Sequence, residues 1–181
     1  DMDPHWALTA GMRQFWYDNS LYGFYGMNPN LPVYFAGMLD CGPKGGLPDP
    51  TYAPFHGAPC TDLDTETKDS GHVPKLTLTY FGDDDLMLYG TYSKGFRPGG
   101  GNRAKDPVTH QFVPPYSIEY LGNYEFGWKT RWAGRRVRWN GALFREDWNN
   151  FQFSYLVPPN SLTAIANVGK ARILGLESEL D

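Results

Sequence analysis

Four carboxylates are the first residues whose types could do chemistry. Glu119, Glu125, Glu146 and Asp147 could form acid–base pairs. No nucleophile or histidine lies near them in the sequence, and a catalytic pair needs such a partner. Glu119 and Glu125 are better interpreted as polar side chains on the water-filled side of a strand. We therefore predict no catalytic residues and a protein that is not an enzyme.

Metal, cofactor and phosphate sites are equally weakly supported. An acidic tripeptide, Asp83 to Asp85, resembles a solvated hairpin turn more than a calcium loop, because no ladder of further oxygen ligands follows it. The glycine-rich residues 95–101 lack the Gly-Lys-Ser/Thr of a phosphate loop. The histidines are scattered, without metal-ligand spacing: His5, His56, His72 and His110. We expect neither a metal nor a cofactor.

The same glycine-rich segment has two possible roles. It could simply provide the turn geometry that ends a strand. Alternatively, since loops on a rigid scaffold often bind ligands, it could place Arg97, Asn102 and Arg103 at the mouth of a substrate site.

Cys41 and Cys60 are the two cysteines of the chain, and both lie in a Pro/Gly-rich segment. They are candidates for a disulfide formed in an oxidising compartment such as the periplasm. The loop that they would close has about 20 residues, and the bond would stabilise the protein by roughly 3 kcal/mol. Two reduced thiols, or half of a metal site, remain alternatives.

Composition favours strands and argues against nucleic acid as a partner. The net charge is −4 and the pI about 5.5, whereas phosphate-backbone binders are basic. The chain contains 21 Gly, 15 Pro, 12 Tyr, 11 Phe and 6 Trp, which suits pleated strands joined by turns. Its mean hydropathy of −0.50 fits no helical membrane protein, although it permits a barrel in which alternate residues face water.

Alternation and turn residues predict six antiparallel strands. The phase of the alternation becomes unclear at Leu143–Phe144, where a β-bulge or emergence of the strand above the membrane would explain it. It becomes unclear again at Ile173–Leu174. The predicted strands are residues 6–16, 73–80, 86–93, 118–132, 136–155 and 162–180.

The fourth predicted strand, residues 118–132, is the most informative. One face carries the aromatic side chains Tyr120, Tyr124, Trp128 and Trp132, whereas the residues of the other face are largely charged or amide. Twelve residue steps span about 40 Å, or about 28 Å vertically at a tilt of ~45°, close to the apolar band of an outer-membrane barrel. These aromatic residues are therefore predicted to lie near the membrane interfaces.

Connection lengths support the same interpretation. Residues 17–72, 95–115 and 156–161 form three longer connections, which alternate with short turns at Asp83–Asp85 and Ala133–Arg135. Outer-membrane barrels have long extracellular loops and short periplasmic turns. A soluble β-sandwich remains the alternative on pattern alone.

Specific motifs extend the argument. Residues 89–102 (YGTYSKGFRPGGGN) resemble a strand that ends in a GFRPGG-x-N segment, and residues 119–129 (EYLGNYEFGWK) resemble an E-x-L-x-N-Y-E-x-G-x-K pattern. Residues 140–152 and 167–177 resemble the next two strands of the same set. Their order and spacing are similar to those in the C-terminal barrel half of TonB-dependent outer-membrane receptors.

The resemblance implies an all-β fold in which residues 1–181 form part of a transmembrane barrel. About six of its strands would be present, out of about 22 in barrels of transporters, and neither a plug domain nor the closing strands are recognisable. The implied location is the outer membrane of a Gram-negative bacterium, in contact with outer-membrane lipid and lipopolysaccharide.

The implied function is TonB-energised uptake of a scarce ligand such as a ferric siderophore, cobalamin or an oligosaccharide. TonB, acting through N-terminal parts of the receptor with ExbB and ExbD, would be the protein partner. A passive outer-membrane porin and a soluble, aromatic-rich carbohydrate-binding β-domain are the alternatives.

Overall fold

The computed structural model describes residues 4–23, 63–82, 84–106, 108–109, 111–158 and 162–181. Within these ranges the regular structure is β-strand, and no helix is long and apolar enough to span a membrane. The strands of the described ranges are β1 (Trp6–Gly23), β2 (Leu63–Phe81), β3 (Leu86–Arg97), β4 (Glu119–Trp132), β5 (Val137–Asn149), β6 (Gln152–Val157), β7 (Leu162–Asn167) and β8 (Lys170–Leu180).

Six strands form one antiparallel sheet in the order β1-β2-β3-β4-β5-β8, while β6 and β7 form a separate hairpin. The prediction of an all-β fold with six antiparallel strands is confirmed. The strand predicted over residues 118–132 is also confirmed, because β4 covers Glu119–Trp132 and pairs along its length with β3 and β5.

The prediction of a connection over residues 17–72 is wrong at both ends. β1 continues to Gly23 and β2 begins at Leu63, so the two strands pair as a long ribbon. Polar residues on both faces made this part look like a loop, but a strand that stands in water on both sides needs no apolar alternation. One charge pair marks the register: Asp18 faces Lys68, and their side chains are 3.1 Å apart.

The predicted strands over residues 136–155 and 162–180 are each divided in two. β5 ends at Asn149, and the chain turns away at Asn150 (φ 55°) and Gly169 (φ 75°), both in the left-handed region that breaks a strand. The β6–β7 hairpin lies between these breaks. The predicted connection over residues 156–161 overlaps the end of β6, and residues 159–161 lie outside the described residues. The bulge expected at Leu143–Phe144 is absent, because the β4–β5 and β5–β8 ladders pair through it without interruption.

Connection lengths alternate as predicted. Residues 24–62, 98–118 and 150–169 separate consecutive strands of the sheet at one end, whereas residues 82–85 and 133–136 do so at the other. We call these the long-connection end and the short-turn end.

The two faces of the sheet differ in chemistry. On one, which we call the apolar face, large side chains of paired residues form a row across the strands and remain exposed: Leu8 (55%), Leu78 (44%), Phe126 (48%), Leu143 (50%) and Leu176 (65%). On the opposite, polar face, the Thr77 and Thr91 hydroxyls are 3.0 Å apart and the Tyr89 hydroxyl donates to Glu125 at 2.7 Å. A row of exposed apolar residues of this extent indicates a non-aqueous environment on that side.

Candidate ligand-facing rim

Two connections pack together at the long-connection end, and we call their described residues within 98–118 and 150–169 the rim. A small apolar cluster joins them: Ala104 from the first connection is buried against Val157 and Ala164 of the β6–β7 hairpin. Such a cluster is too small to hold irregular backbone by itself, so the polar contacts around it determine how the rim is positioned.

Glu119 fixes the rim to the sheet. It is the first residue of β4 and pairs with Arg97, the last residue of β3. The Arg97 guanidinium donates to both carboxylate oxygens, at 3.0 and 2.8 Å, and the backbone N–H of Gln152 also donates to the carboxylate. With 1% of its surface exposed, Glu119 is a buried charge whose acceptor sites are filled by partners, as such a group requires.

The Gln152 side chain continues this network at the start of the hairpin. Its amide nitrogen lies 2.9 Å from the carbonyl of Pro98 and 3.0 Å from that of Ser117. These carbonyls belong to the beginning and the end of the first connection. Gln152 therefore holds both ends of that connection while its own backbone is held by Glu119.

Asn102 joins the two connections further out. Its side-chain nitrogen donates to the carbonyls of Pro114 and Ile165 at 2.7 and 2.8 Å, and its side-chain oxygen accepts from the Ile165 N–H at 2.8 Å. The paired bonds to Ile165 repeat the pattern of a β-ladder. Asn102 is 5% exposed, so these bonds satisfy groups that water reaches poorly.

Asn167, the last residue of β7, makes a similar set of bonds. Its side-chain oxygen accepts from the Ser117 N–H at 2.7 Å, and its nitrogen donates to the carbonyls of Ser117 at 3.0 Å and Asn150 at 2.8 Å. Asparagine amides thus act as short bridges between backbone segments that do not pair directly.

The β1–β2 ribbon also contacts the rim. The Tyr17 hydroxyl accepts from the Gly99 N–H at 3.0 Å, and the Phe15 ring stacks on Phe96 with centroids 3.5 Å apart. Only glycine fits at position 99, because the carbonyl of Tyr116 occupies the space that a Cβ would need. The ribbon therefore lies against the start of the first connection.

The predicted mouth residues differ in their surroundings. Arg97 and Asn102 are both within the rim network, whereas Arg103 is exposed next to Asn102. Cys41 and Cys60 lie outside the described residues, and so does Asp83 of the acidic turn.

The four predicted interface aromatics share the apolar face of β4. Tyr120 contacts the buried Phe15–Val73–Ile118 cluster near the rim, and Tyr124 packs against Tyr92 at 5.0 Å. Trp128 packs edge-on against Trp139 at 5.2 Å. Trp132, at the short-turn end, is 57% exposed. The strand thus distributes these rings along its whole length.

Sequence reasoning did not assign positions in this network to Gln152, Asn167 or Tyr17. Gln152 and Asn167 are single polar residues at strand ends, where polar residues are common and uninformative, and Tyr17 lies just beyond the end of the predicted first strand. The one available signal was that Gln152 and Asn167 belong to the quoted motifs.

Comparison with known proteins gives a family and a fold. The family model described as TonB dependent receptor-like, beta-barrel matches residues 1–181. The ferric yersiniabactin uptake receptor FyuA from Yersinia pestis is similar over 70% of the chain, with 25% identity and a TM-score of 0.52. The hemophore receptor HasR from Serratia marcescens, solved with its hemophore HasA and heme, is similar over 99%, with 19% identity and a TM-score of 0.55. The chain spans 18% of the first receptor and 30% of the second.

Proposed function

The chain belongs to the TonB-dependent receptor-like β-barrel family, and on that premise we propose that it forms part of an outer-membrane receptor for active uptake. The observation that carries the proposal is the pair of contrasting faces on one long-stranded sheet. An exposed apolar row runs across the sheet, with large side chains on five of the six strands and Gly90 on β3, and the opposite face is polar. That combination suits lipid on one side and a water-filled lumen on the other.

The six strands are a section of a larger barrel. β1 and β8 are the edges of the described sheet, and an open edge in lipid leaves backbone groups without partners at several kcal/mol each. Pairing both edges with further strands, to about 22 in barrels of this class, removes that penalty. The receptor then resides in the outer membrane of a Gram-negative bacterium, with the long-connection end outside.

Uptake requires energy and partners beyond these residues. TonB, with ExbB and ExbD, supplies the energy through parts of the receptor that lie outside the described sheet. The ligand is scarce, and the similarity to a ferric yersiniabactin receptor favours a ferric siderophore over cobalamin or an oligosaccharide. The protein binds and transports, without catalysis: the buried Glu119 is engaged by Arg97 and Gln152, and Asp147 by two arginines.

The rim is the ligand-facing part. Within it Arg97 and Asn102 position the connections, while the exposed Arg103 is available to an anionic or chelating ligand. Replacing Arg103 by Gln should weaken ligand binding by about tenfold, the effect of one charged hydrogen bond. The matched control is Lys129→Gln on β4 near the short-turn end, which should leave the affinity unchanged.

Uptake by the full-length receptor tests the function. Cells that produce it should accumulate a radiolabelled ferric siderophore when TonB is present and lose that accumulation when tonB is deleted. Equal uptake with and without TonB would contradict active transport.

Liposome swelling addresses the porin alternative. Full-length receptor in liposomes should not admit small sugars rapidly, and fast, size-dependent swelling would favour a passive pore. If the full-length protein fractionates as a soluble monomer without detergent, the membrane assignment itself fails.

A further inference from the structure

The two edges of the β6–β7 hairpin have different surroundings. β7 lies beside the first connection, because the Asn102 side chain bonds both main-chain groups of Ile165. β6 forms the other side of the hairpin, and among the described strands it pairs with β7 alone. Within the part of the chain that the structure describes, the outer side of β6 is therefore an open strand edge.

The hydrogen-bond pattern shows which main-chain groups lie along this edge. In an antiparallel pair, residues that bond across the ladder alternate with residues whose N–H and C=O point outward. Ile165 points outward to Asn102, and Ser154 is its partner in the register. Gln152 also points outward, since its N–H bonds outside the hairpin. The same alternation directs the N–H and C=O of Ser154 and Leu156 away from β7, where these four groups have no partner among the described residues.

β6 lacks the features that protect exposed edges in many proteins. Such edges usually carry a charged side chain, a proline or a β-bulge, each of which discourages another strand from pairing. Residues 153–157 contain neither a proline nor a charge, and no charged side chain occurs between Asp147 and Lys170. The register runs from Gln152 to Val157 without a bulge. The edge is thus suited to accept a further strand.

Exposed apolar side chains lie beside the open edge. Three residues of β6 are strongly exposed: Phe153 (52%), Tyr155 (38%) and Leu156 (64%). Val157, which shares a face with the two rings, is buried against Ala104. The apolar surface of that cluster therefore continues outward to the edge of β6. A strand added there brings its own side chains over the rings and removes this surface from water.

The edge is held in position before any ligand arrives. An isolated two-stranded hairpin is only marginally stable in water, but Glu119 binds the start of β6 and Asn102 binds β7. Because the hairpin is already ordered by these contacts, it loses little conformational entropy when a partner binds.

We propose that the outer edge of β6 binds an extended, uncharged stretch of a linear peptide, which adds to the hairpin as a third strand. The main chain of the peptide bonds with Ser154 and Leu156, and its alternate apolar side chains cover Phe153 and Tyr155. An uncharged peptide suits this position better than an anionic chelate, because the hairpin carries no charged side chain. The inference rests on the proposed function in one respect, since the rim must face the outside for a peptide to reach it.

The test uses the full-length receptor in nanodiscs and a fluorescent heptapeptide of alternating valine and threonine with capped ends. Its dissociation constant is measured by fluorescence anisotropy. The matched probe has the same sequence with N-methyl groups on its five central residues. It should bind about tenfold more weakly or worse, because it has lost its main-chain donors and its methyl groups prevent close approach.

A proline variant tests the edge from the side of the receptor. Ser154→Pro removes an outward N–H and leaves the ladder to β7 intact, as prolines at strand edges do. It should weaken peptide binding about tenfold, through the lost hydrogen bond and the bulk of the ring. The matched control is Thr163→Pro, because Thr163 pairs with Leu156 and its N–H points outward at the opposite edge. This control should bind within about twofold of the parent, and so should Ser154→Thr, which keeps the main-chain N–H.

Amide hydrogen exchange locates the bound peptide on the unaltered receptor. Exchange at Ser154 and Leu156 should slow when the heptapeptide binds, whereas exchange at Thr163 should not change. This measurement requires no substitution, so it decides the question even if Ser154→Pro does not fold.

Three results would overturn the inference. The first is no binding of the heptapeptide to the parent receptor, and the second is equal affinity for the N-methylated probe. The third is slow exchange at Ser154 and Leu156 without peptide that becomes slower as the receptor concentration rises in detergent, which would show that a second copy covers the edge. Membrane fractionation and TonB-dependent uptake of a ferric siderophore are measured on the same proteins. If both are intact while the peptide does not bind, only this inference fails; if the receptor is not in the outer membrane, the proposed function fails first.

Discussion

The middle of the sheet and the rim show opposite relations between polarity and burial. In the middle, the apolar Phe126 is 48% exposed, whereas at the rim the charged Glu119 is 1% exposed and the amide of Asn102 is 5% exposed. Regular strands satisfy their backbone through the ladder, so their side chains are free to match the surroundings of each face. Irregular connections have no ladder, and buried polar side chains take its place.

Glycines sharpen the same contrast. On β5, Gly141 lies directly beneath the ring of its cross-strand neighbour Trp128, and on β8, Gly175 lies beneath that of Phe144. An aromatic ring over a strand glycine compensates for its missing side chain. At the rim, by contrast, Gly99 makes room for backbone.

The largest expected effect comes from placing a charge on the apolar face. Phe126→Arg should destabilise the full-length receptor in lipid vesicles by about 4 kcal/mol, the upper part of the range for a cation at mid-membrane depth. The measurement is the urea concentration at which half of the protein has unfolded, followed by the loss of the folded, heat-modifiable band on gels. Asn123→Arg, on the polar face of the same strand and opposite Glu146, is the control and should shift it little. Equal shifts would contradict the assignment of the two faces.

The second largest effect is expected from removal of the buried carboxylate of Glu119. Glu119→Ala leaves the Gln152 N–H without its acceptor and Arg97 without its partner, which should cost about 3 kcal/mol. Hydrogen exchange should accelerate in the rim while β4 and β5 stay protected at mid-strand. Glu125→Ala, which loses only the bond from Tyr89, serves as the control. Unchanged hydrogen exchange at the rim would show that Glu119 does not position it.

A smaller and more local effect is expected at Asn102. Asn102→Ala removes the two bonds to Ile165 and the bond to Pro114, at about 2 kcal/mol. Exchange at the Ile165 amide should rise most, since that group loses its acceptor. The neighbouring Arg103→Gln should leave this exchange unaltered. A rise at β5 as large as that at Ile165 would mean that the rim and the sheet unfold together.

The smallest effect is expected in the β1–β2 ribbon. Hydrogen bonds to Glu66 and Asp18 raise the pKa of the Lys68 ammonium above its usual 10.5. Its ion pairs are therefore fully formed at neutral pH and are lost only as the pH rises through that raised pKa. Because the group is fully solvated, Lys68→Gln should leave the urea midpoint unchanged and only speed local proteolysis of the ribbon slightly. A clear fall in the midpoint would show that the ribbon contributes to the stability of the sheet.

The sequence predicted the regular middle of the sheet well and missed features at its long-connection end. The sequence of β4 predicted its strand within one residue, because alternate residues meet different solvents and the pattern is local. The predicted strand ends in the β1–β2 ribbon were wrong because successive residues such as Asp18 and Asn19, which lie on opposite faces, are both polar. The divisions at Asn150 and Gly169 were also missed, since a left-handed residue between two β-rich segments leaves little trace in an alternation pattern.

The sequence predicted that residues near 95–103 end a strand, but it did not predict their contacts. β3 ends at Arg97, and Arg103 is exposed beyond it. That Arg97 binds Glu119, and that Asn102 bridges to Ile165, depends on partners 22 and 63 positions away. No local pattern encodes such pairs.

By itself, the sequence determined the strand class, the number of strands in the sheet, the alternation of long and short connections and which face is apolar. These properties depend on each residue's own preference for water or for an apolar environment. Only the tertiary structure decided that the last long connection contains a hairpin, that Glu119 is buried, and that Asn102 binds the main chain of Ile165. Those features arise when strands distant in sequence come into register, and register is a property of the folded sheet as a whole.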